Sequence, residues 1–224
     1  MLGKPVVVVL MNGRPLCIPE IDAKAAAVVE TWYLGTMVGP AIADVLYGEY
    51  NPSGKLTVTF PRMEGQIPVF YNMKSTGRPF DANNEYTSKY LDAPNDPLYP
   101  FGFGLSYTTF SYSPVTLDKT AVKAGGKVQA TVTVTNTGKY TGEETVQLYI
   151  RDMVGSMTRP VKELKGFRKI TLKPGEKQTV TFDIDESMLA FYNHELEFRA
   201  EPGTFQVMIG GNSAQTSSAT FELQ

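Results

Sequence analysis

The sequence predicts a mixed fold: an incomplete parallel sheet with helices, followed by an antiparallel β-sandwich. Three observations predict it. Residues 5–11 form a continuous apolar, largely β-branched run. From residue 111 onward, apolar and polar residues alternate in set after set, the signature of half-buried strands. Between the two regimes, residues 98–110 combine Pro, Gly and aromatic residues too densely for a helix, a long strand or a flexible linker. So many rings must be packed down, and the segment reads as an ordered seam between domains.

The elements follow in order. Continuity in residues 4–12 implies a strand covered on both faces, as in a parallel sheet with flanking helices, ending at Asn12-Gly13. In residues 22–29, Asp22 caps a short helical turn and residues 28–32 supply the next strand, a span whose helix and strand readings overlap. Residues 39–48 read as a helix: Pro40 stands near its start, Ile42, Val45 and Leu46 share a face, and Gly48 stops it. Asn51-Pro52-Ser53-Gly54 carries the preferences of a type I turn, and residues 56–60 form a short strand ended by Pro61. Two or three strands do not complete a sheet covered on both faces, and an open parallel sheet leaves backbone groups unpaired. Residues 1–72 are therefore expected to be the C-terminal part of a domain, with the sequence beginning inside it.

Residues 73–97 are polar and turn-rich, a loop long enough to suggest function or mobility. Tyr86 and Tyr90 stand in it. Such rings either stack on a sugar or pin the loop to the surface. Residues 73–110 thus read as an ordered linker and seam, and residues 111–224 as the sandwich. There, Val128, Ala130, Val132 and Val134 form one inward set, and Val146, Leu148 and Ile150 a second that alternates with Gln147, Tyr149 and Arg151. Val180, Phe182 and Ile184, then Phe205, Val207 and Ile209, then Phe221 and Leu223 continue the pattern. Asn136-Thr137-Gly138, Lys173-Pro174-Gly175-Glu176 and Glu201-Pro202-Gly203 are the turns, Pro-Gly suiting the centre of a type II turn. Without a cysteine pair, a fibronectin type III-like sandwich fits better than an antibody-like one.

Composition narrows the function classes. A net charge of -2 offers no basic face for nucleic acid, and no apolar run is long enough to cross a membrane. The first residues show no signal-peptide pattern. Cys17 is the only cysteine and His194 the only histidine, in different regions, so a Cys–His nucleophile is not expected and Cys17 reads as a small buried apolar residue. No metal or other cofactor is called for. Gly102-Phe103-Gly104 follows no strand and opens no helix, so it is no nucleotide loop. Glu20 with Asp22, and Glu143 with Glu144, are neighbours in sequence but lack apolar settings and read as solvated charge. Asp44 should face water, and Ser53 and Ser106 sit in turns with no histidine near.

Several stretches, however, resemble successive landmarks of one family. They are Gly3-Lys4-Pro5 through Asn12-Gly13-Arg14-Pro15, Asn51-Pro52-Ser53-Gly54-Lys55-Leu56, Thr59-Phe60-Pro61-Arg62, residues 99–110, residues 159–167 and Leu172-Lys173-Pro174-Gly175-Glu176. In order and spacing they look like family 3 glycoside hydrolases of the β-glucosidase type, most closely the bacterial periplasmic members. The resemblance implies a three-domain enzyme: a (β/α)8 barrel with an aspartate nucleophile, an α/β sandwich with a glutamate acid/base, and a fibronectin-like domain. On that pattern this chain is the end of the second domain plus the third, both catalytic carboxylates lie outside it, and no catalytic residue is carried over.

The resemblance further implies a retaining exo-β-glycosidase that removes terminal glucose from a β-glucoside or short oligosaccharide, in a periplasmic or secreted setting. The chain alone is then expected to be inactive. Residues 1–60 are expected to pair with the missing barrel-bearing portion or with themselves. Arg78 and Tyr90 are the candidate substrate contacts, as part of the entrance to a sugar pocket. The competing readings are a non-catalytic module that binds carbohydrate or protein through its sandwich, and a truncated reading frame with no role of its own. The module reading would need a solvent-facing row of aromatics, whereas Tyr140, Tyr149 and Tyr192 are scattered.

Overall fold

The computed structural model describes residues 3–224; Met1 and Leu2, with which the expected first region opens, lie outside the described residues. The N-terminal region runs β1 (Val7–Leu10), α1 (Pro19–Lys24), β2 (Ala27–Glu30) and α2 (Val38–Tyr47). β1 and β2 pair in parallel, Val8 opposite Val28 and Leu10 opposite Glu30, and form a sheet of only two strands. The apolar run is shorter as a strand than its sequence suggests. Val6 and Val7 are 56% and 46% exposed, because the described chain supplies no layer to cover them.

Three local expectations are corrected. Asp22 does not cap a helix: α1 starts at Pro19 and contains Asp22, whose carboxylate accepts the Tyr99 hydroxyl at 2.6 Å. The second strand ends at Glu30, since Trp32 adopts a left-handed φ of 51° that turns the chain out of the sheet. Residues 51–54 make no turn. The reversal comes earlier, at Gly48, whose φ of 82° closes α2. The Asn51 side chain is used at long range instead: its amide donates to the Thr141 carbonyl, and its oxygen accepts from Ser106 Oγ and the Tyr107 amide.

Residues 56–60 form no regular strand, yet they pair with the seam. The Leu56 amide donates to the Phe103 carbonyl at 2.8 Å, the Gly102 amide to the Leu56 carbonyl at 2.7 Å, and the Phe60 amide to the Tyr99 carbonyl at 2.9 Å. Phe60 is fully buried in an aromatic run, with ring centroids 6.0 Å from Trp32 and 5.7 Å from Tyr99; Tyr99 stacks on Phe103 at 5.4 Å. The aromatic density of the seam is thus consumed in packing.

The sandwich follows, with β3 (Phe110–Tyr112), β4 (Thr116–Leu117), β5 (Ala121–Val122), β6 (Val128–Asn136), β7 (Gly142–Asp152), β8 (Glu163–Leu172) and β9 (Lys177–Ile184). Then come α3 (Glu186–Leu189), β10 (Phe191–Tyr192), β11 (Phe198–Arg199), β12 (Gly203–Gly210) and β13 (Thr216–Leu223). One sheet has the order β5-β13-β12-β7-β8. In the other, β6 is central, with β9 along one side and β3 and β4 in succession along the other. All pairings are antiparallel except β5 with β13. The alternating sets meet as expected: Val132, Val134, Val146, Leu148, Val207 and Ile209 are fully buried in one core. Gly175, at φ 77°, and the bond from the Glu176 amide to the Lys173 carbonyl close the β8–β9 turn, whereas Gly203 already opens β12.

Candidate functional site

β7 departs from simple alternation. Gln147 and Tyr149, on the face that should meet water, are buried together with their inward neighbours. The cause is the seam, which packs on that face. Tyr71 stacks on Phe101 with centroids 4.2 Å apart and meets Tyr149 edge-on at 5.7 Å. Gln147 Nε2 donates to the carbonyls of Gly102 (3.1 Å) and Gly211 (2.7 Å), and its oxygen accepts from the Tyr149 hydroxyl. The Ser213 amide donates to the Phe101 carbonyl at 2.9 Å. Burial, then the nearby Tyr71, pushes the Tyr149 phenol up. Tyr149 is therefore a buried anchor, not one of a scatter of surface tyrosines.

The acidic pair on β7 is also corrected. Glu144 is not solvated: it is 4% exposed. Its carboxylate accepts from Lys55 Nζ at 3.1 Å and from the Tyr112 hydroxyl at 2.8 Å, and Lys55 donates also to the Gly104 carbonyl. Burial first, then the Glu144 charge and hydrogen bond, pushes the Tyr112 phenol up. Glu143 is partly exposed and accepts from Lys169 at 2.7 Å and Ser53 Oγ at 2.9 Å, which hold its carboxyl below the usual range. This network joins the two regions, and the Glu144 carboxylate is committed to Lys55 and Tyr112. Sequence spacing missed it because the partners stand about 90 positions apart.

Residues 73–97 lie at the surface, and both candidate substrate contacts are exposed there. The loop folds on itself: the Ser88 amide donates to the Arg78 carbonyl at 3.0 Å, and the Tyr90 amide to Asn95 Oδ1 at 3.0 Å. That doubling brings the Arg78 and Tyr90 stretches alongside each other. Among the described residues Arg78 makes no ion pair. The loop's root is fixed to the sandwich by the Val161 amide donating to the Met73 carbonyl at 2.9 Å, beside a Lys74–Pro160 bridge.

The remaining candidates divide clearly. Glu20 and Asp44 face water, as expected. Cys17 is half-buried and borders an open depression of about 570 Å³ with Arg62 and Glu64. Burial, then Glu64, pushes its thiol up, the opposite of an activated nucleophile. No three His, Cys, Asp or Glu side chains converge on a metal position among the described residues. Nor is any helix among them long and apolar enough to cross a membrane.

Asp152, at the end of β7, has its carboxyl pushed up by burial, and its Oδ2 has no hydrogen-bond partner. A raised folded-state pKa means the folded protein holds this proton more tightly than the unfolded chain. The associated stability is full at low pH and is lost as pH rises above 3.8. Asp152→Asn is therefore expected to lose less stability than the parent between about pH 4 and pH 7 in urea titrations. Parallel pH profiles would refute the assignment.

Comparison with known proteins gives these features a context. Residues 1–107 match the glycosyl hydrolase family 3 C-terminal domain, and residues 144–213 a fibronectin type III-like domain. The chain is 56% identical over 223 residues to the periplasmic β-glucosidase of Salmonella typhimurium, covering 99% of this chain and 29% of that protein. It is 48% identical to a β-xylosidase of Formosa agariphila, covering 99% of this chain and 30% of that one. Among solved structures, a β-glucosidase from Listeria innocua in complex with isofagomine superposes with a TM-score of 0.94 at 44% identity, covering 99% of this chain and 31% of that one. Other structures of the same enzyme hold glucose or, in a mutant, laminaribiose. The chain thus spans about 30% of the length of the relatives it matches.

Proposed function

Since the chain belongs to glycosyl hydrolase family 3, as a C-terminal domain of that family followed by a fibronectin type III-like domain, we propose that it serves as the C-terminal third of a retaining exo-β-glycosidase of the β-glucosidase type. In this reading residues 1–72 complete an α/β sandwich, residues 73–110 are the linker and seam, and residues 111–224 are the fibronectin-like domain. The two reacting carboxylates lie on polypeptide outside this chain. The observation that carries the reading is the match along nearly the whole chain to a third of each relative, together with a Glu144–Lys55 pair that is structural. The substrate is a terminal β-D-glucoside or short oligosaccharide; the β-xylosidase relative indicates that this region alone does not choose the sugar. The name of the Salmonella typhimurium relative supports a periplasmic or secreted setting.

The test is hydrolysis of an aryl β-glucoside. The isolated chain should stay at blank background, at least about four orders of magnitude below an enzyme that holds both reacting groups. A chimera of the Salmonella typhimurium relative, with its matched region replaced by this chain, should regain turnover. Activity of the isolated chain that vanishes with Asp44→Asn would sink the proposal, as would a folded but inactive chimera.

Arg78 and Tyr90 are proposed to shape the entrance to the sugar pocket. In the active chimera, deletion of residues 80–92 is expected to raise KM by about tenfold, the scale of one or two lost hydrogen bonds, with a smaller change in kcat. Unchanged KM and unchanged assembly would leave the loop without a role.

A further inference from the structure

The described sandwich is apolar on the outside in one place. From residue 110 onward eight large apolar side chains are exposed, and two of them, Tyr140 and Phe167, stand apart. The other six fall on two neighbouring segments: Met153, Val154 and Met157 after β7, and Tyr192, Leu196 and Phe198 on the β10–β11 hairpin. The segments are tied together. Ser156 donates through its amide (2.8 Å) and its hydroxyl (2.6 Å) to Glu201, the Met153 amide donates to the Thr204 carbonyl, and Arg159 lies 4.5 Å over the Phe191 ring.

The hairpin is built to hold its apolar tip outward. Asn193, 3% exposed, accepts from the amides of Glu195 and Glu197, and the Leu196 amide donates to the Asn193 carbonyl. Leu196 itself has a φ of 63° and is 80% exposed. A leucine in a left-handed conformation is strained, and its side chain makes no hydrogen bond to offset the strain. Glycine or asparagine would serve the turn better. In an isolated domain this position gains nothing from being leucine, so its use lies in contact with something else.

We infer that this end of the sandwich is a second docking face for the part of the family 3 enzyme outside this chain, separate from the open β1–β2 sheet. The inference rests on the proposed function. The relatives supply more than twice this chain's length in further polypeptide, ample to cover the patch. The patch also continues an existing interface: the linker's root is bonded to residues 160 and 161, directly after the 153–157 segment, so polypeptide from the α/β region already reaches this end. Both signs of charge surround the tip, with Glu195, Glu197 and Arg199 paired to one another, which suits a neutral protein surface rather than a charged ligand.

Hydroxyl-radical footprinting tests this on the isolated 224-residue chain and on the Salmonella typhimurium chimera. In the isolated chain at low micromolar concentration, Met153, Met157, Tyr192 and Phe198 should label readily. In the chimera they should label at least about tenfold more slowly, as buried interface residues do, while Phe167 is unchanged. Should the chimera not accumulate, the same footprint is read on the two polypeptides co-expressed as separate chains. Equal labelling in both states overturns the inference. So does protection in the isolated chain that grows with its concentration, which would assign the patch to a second copy, or protection by added laminaribiose, which would assign it to sugar. A second readout is Leu196→Gly: the melting temperature should hold or rise in the isolated chain and fall in the chimera, and a change of the same sign in both also overturns it. An inactive chimera with a protected patch would defeat the proposed function alone, and an active chimera with an unprotected patch the docking face alone.

Discussion

Glu144→Ala is expected to lower the unfolding free energy by about 3–5 kcal/mol, the scale of removing one partner from a buried ion pair. The reason is what remains behind. Lys55, 15% exposed, is left with only the Gly104 carbonyl to accept from it, and the Tyr112 hydroxyl loses its acceptor. The cost is the unpaired lysine more than the lost attraction, so the substitutions should not add. Replacing all three groups with apolar ones, Lys55→Met with Tyr112→Phe and Glu144→Leu, should cost far less than Glu144→Ala alone. Urea denaturation of the three proteins, parent, Glu144→Ala and the triple variant, reads this directly. A Glu144→Ala loss below about 1 kcal/mol would show that water reaches the pair, as it does in surface bridges.

The sequence made much of the sandwich legible and almost none of this network, for one physical reason. Inward residues of β6, β7 and β9 recur every second position because a strand alternates its faces, so Val132, Leu148 and Val180 announce themselves locally. Gln147 and Tyr149 occupy outward positions of the same β7 and look like surface residues, whereas Glu144 shares the inward parity of Val146 and Leu148 but, as an acid beside Glu143, reads as solvated charge. The seam, folded over from residues 99–104, buries Gln147 and Tyr149, and Lys55 and Tyr112 enclose Glu144. The β1 run misleads in the opposite sense. Its continuity signals burial on both faces, yet Val6 and Val7 are exposed because the layers that would cover them are not within the described residues. The type I turn expected at residues 51–54 failed for a related cause: Asn51 spends its amide and its oxygen on Thr141, Ser106 and Tyr107 instead of on a local turn. Of the candidate site, the surface position of Arg78 and Tyr90 agrees with the polarity of their loop. In the proposed enzyme their contacts would be made with polypeptide outside this chain, which no local pattern encodes.

The seam's two glycines should be the least replaceable positions of residues 98–110. Gly102 has a φ of 79°, and a Cβ there would collide with the Gln147 carboxamide. That carboxamide has nowhere to go, since the Gly102 and Gly211 carbonyls and the Tyr149 hydroxyl all hold it. Gly102→Ala is therefore expected to cost about 3 kcal/mol or more, strain in a left-handed residue adding to overpacking. Gly104→Ala meets the Gly54 carbonyl, which is backbone and can yield only if residues 54–56 shift and the Leu56–Phe103 bond lengthens. Gly54 supplies the control from the other side of the same contact. A Cβ on Gly54 meets nothing within 4 Å, so Gly54→Ala should stay within about 0.5 kcal/mol of the parent. Both seam variants should also loosen the cover over β7, making the Tyr149 amide and ring more accessible to exchange and radical labelling while the Val132 and Leu148 core stays protected. If Gly102→Ala melts with the parent and leaves Tyr149 covered, then Gln147 has another rotamer at little cost, and the seam is held by its aromatic stacking rather than by the close approach at its glycines.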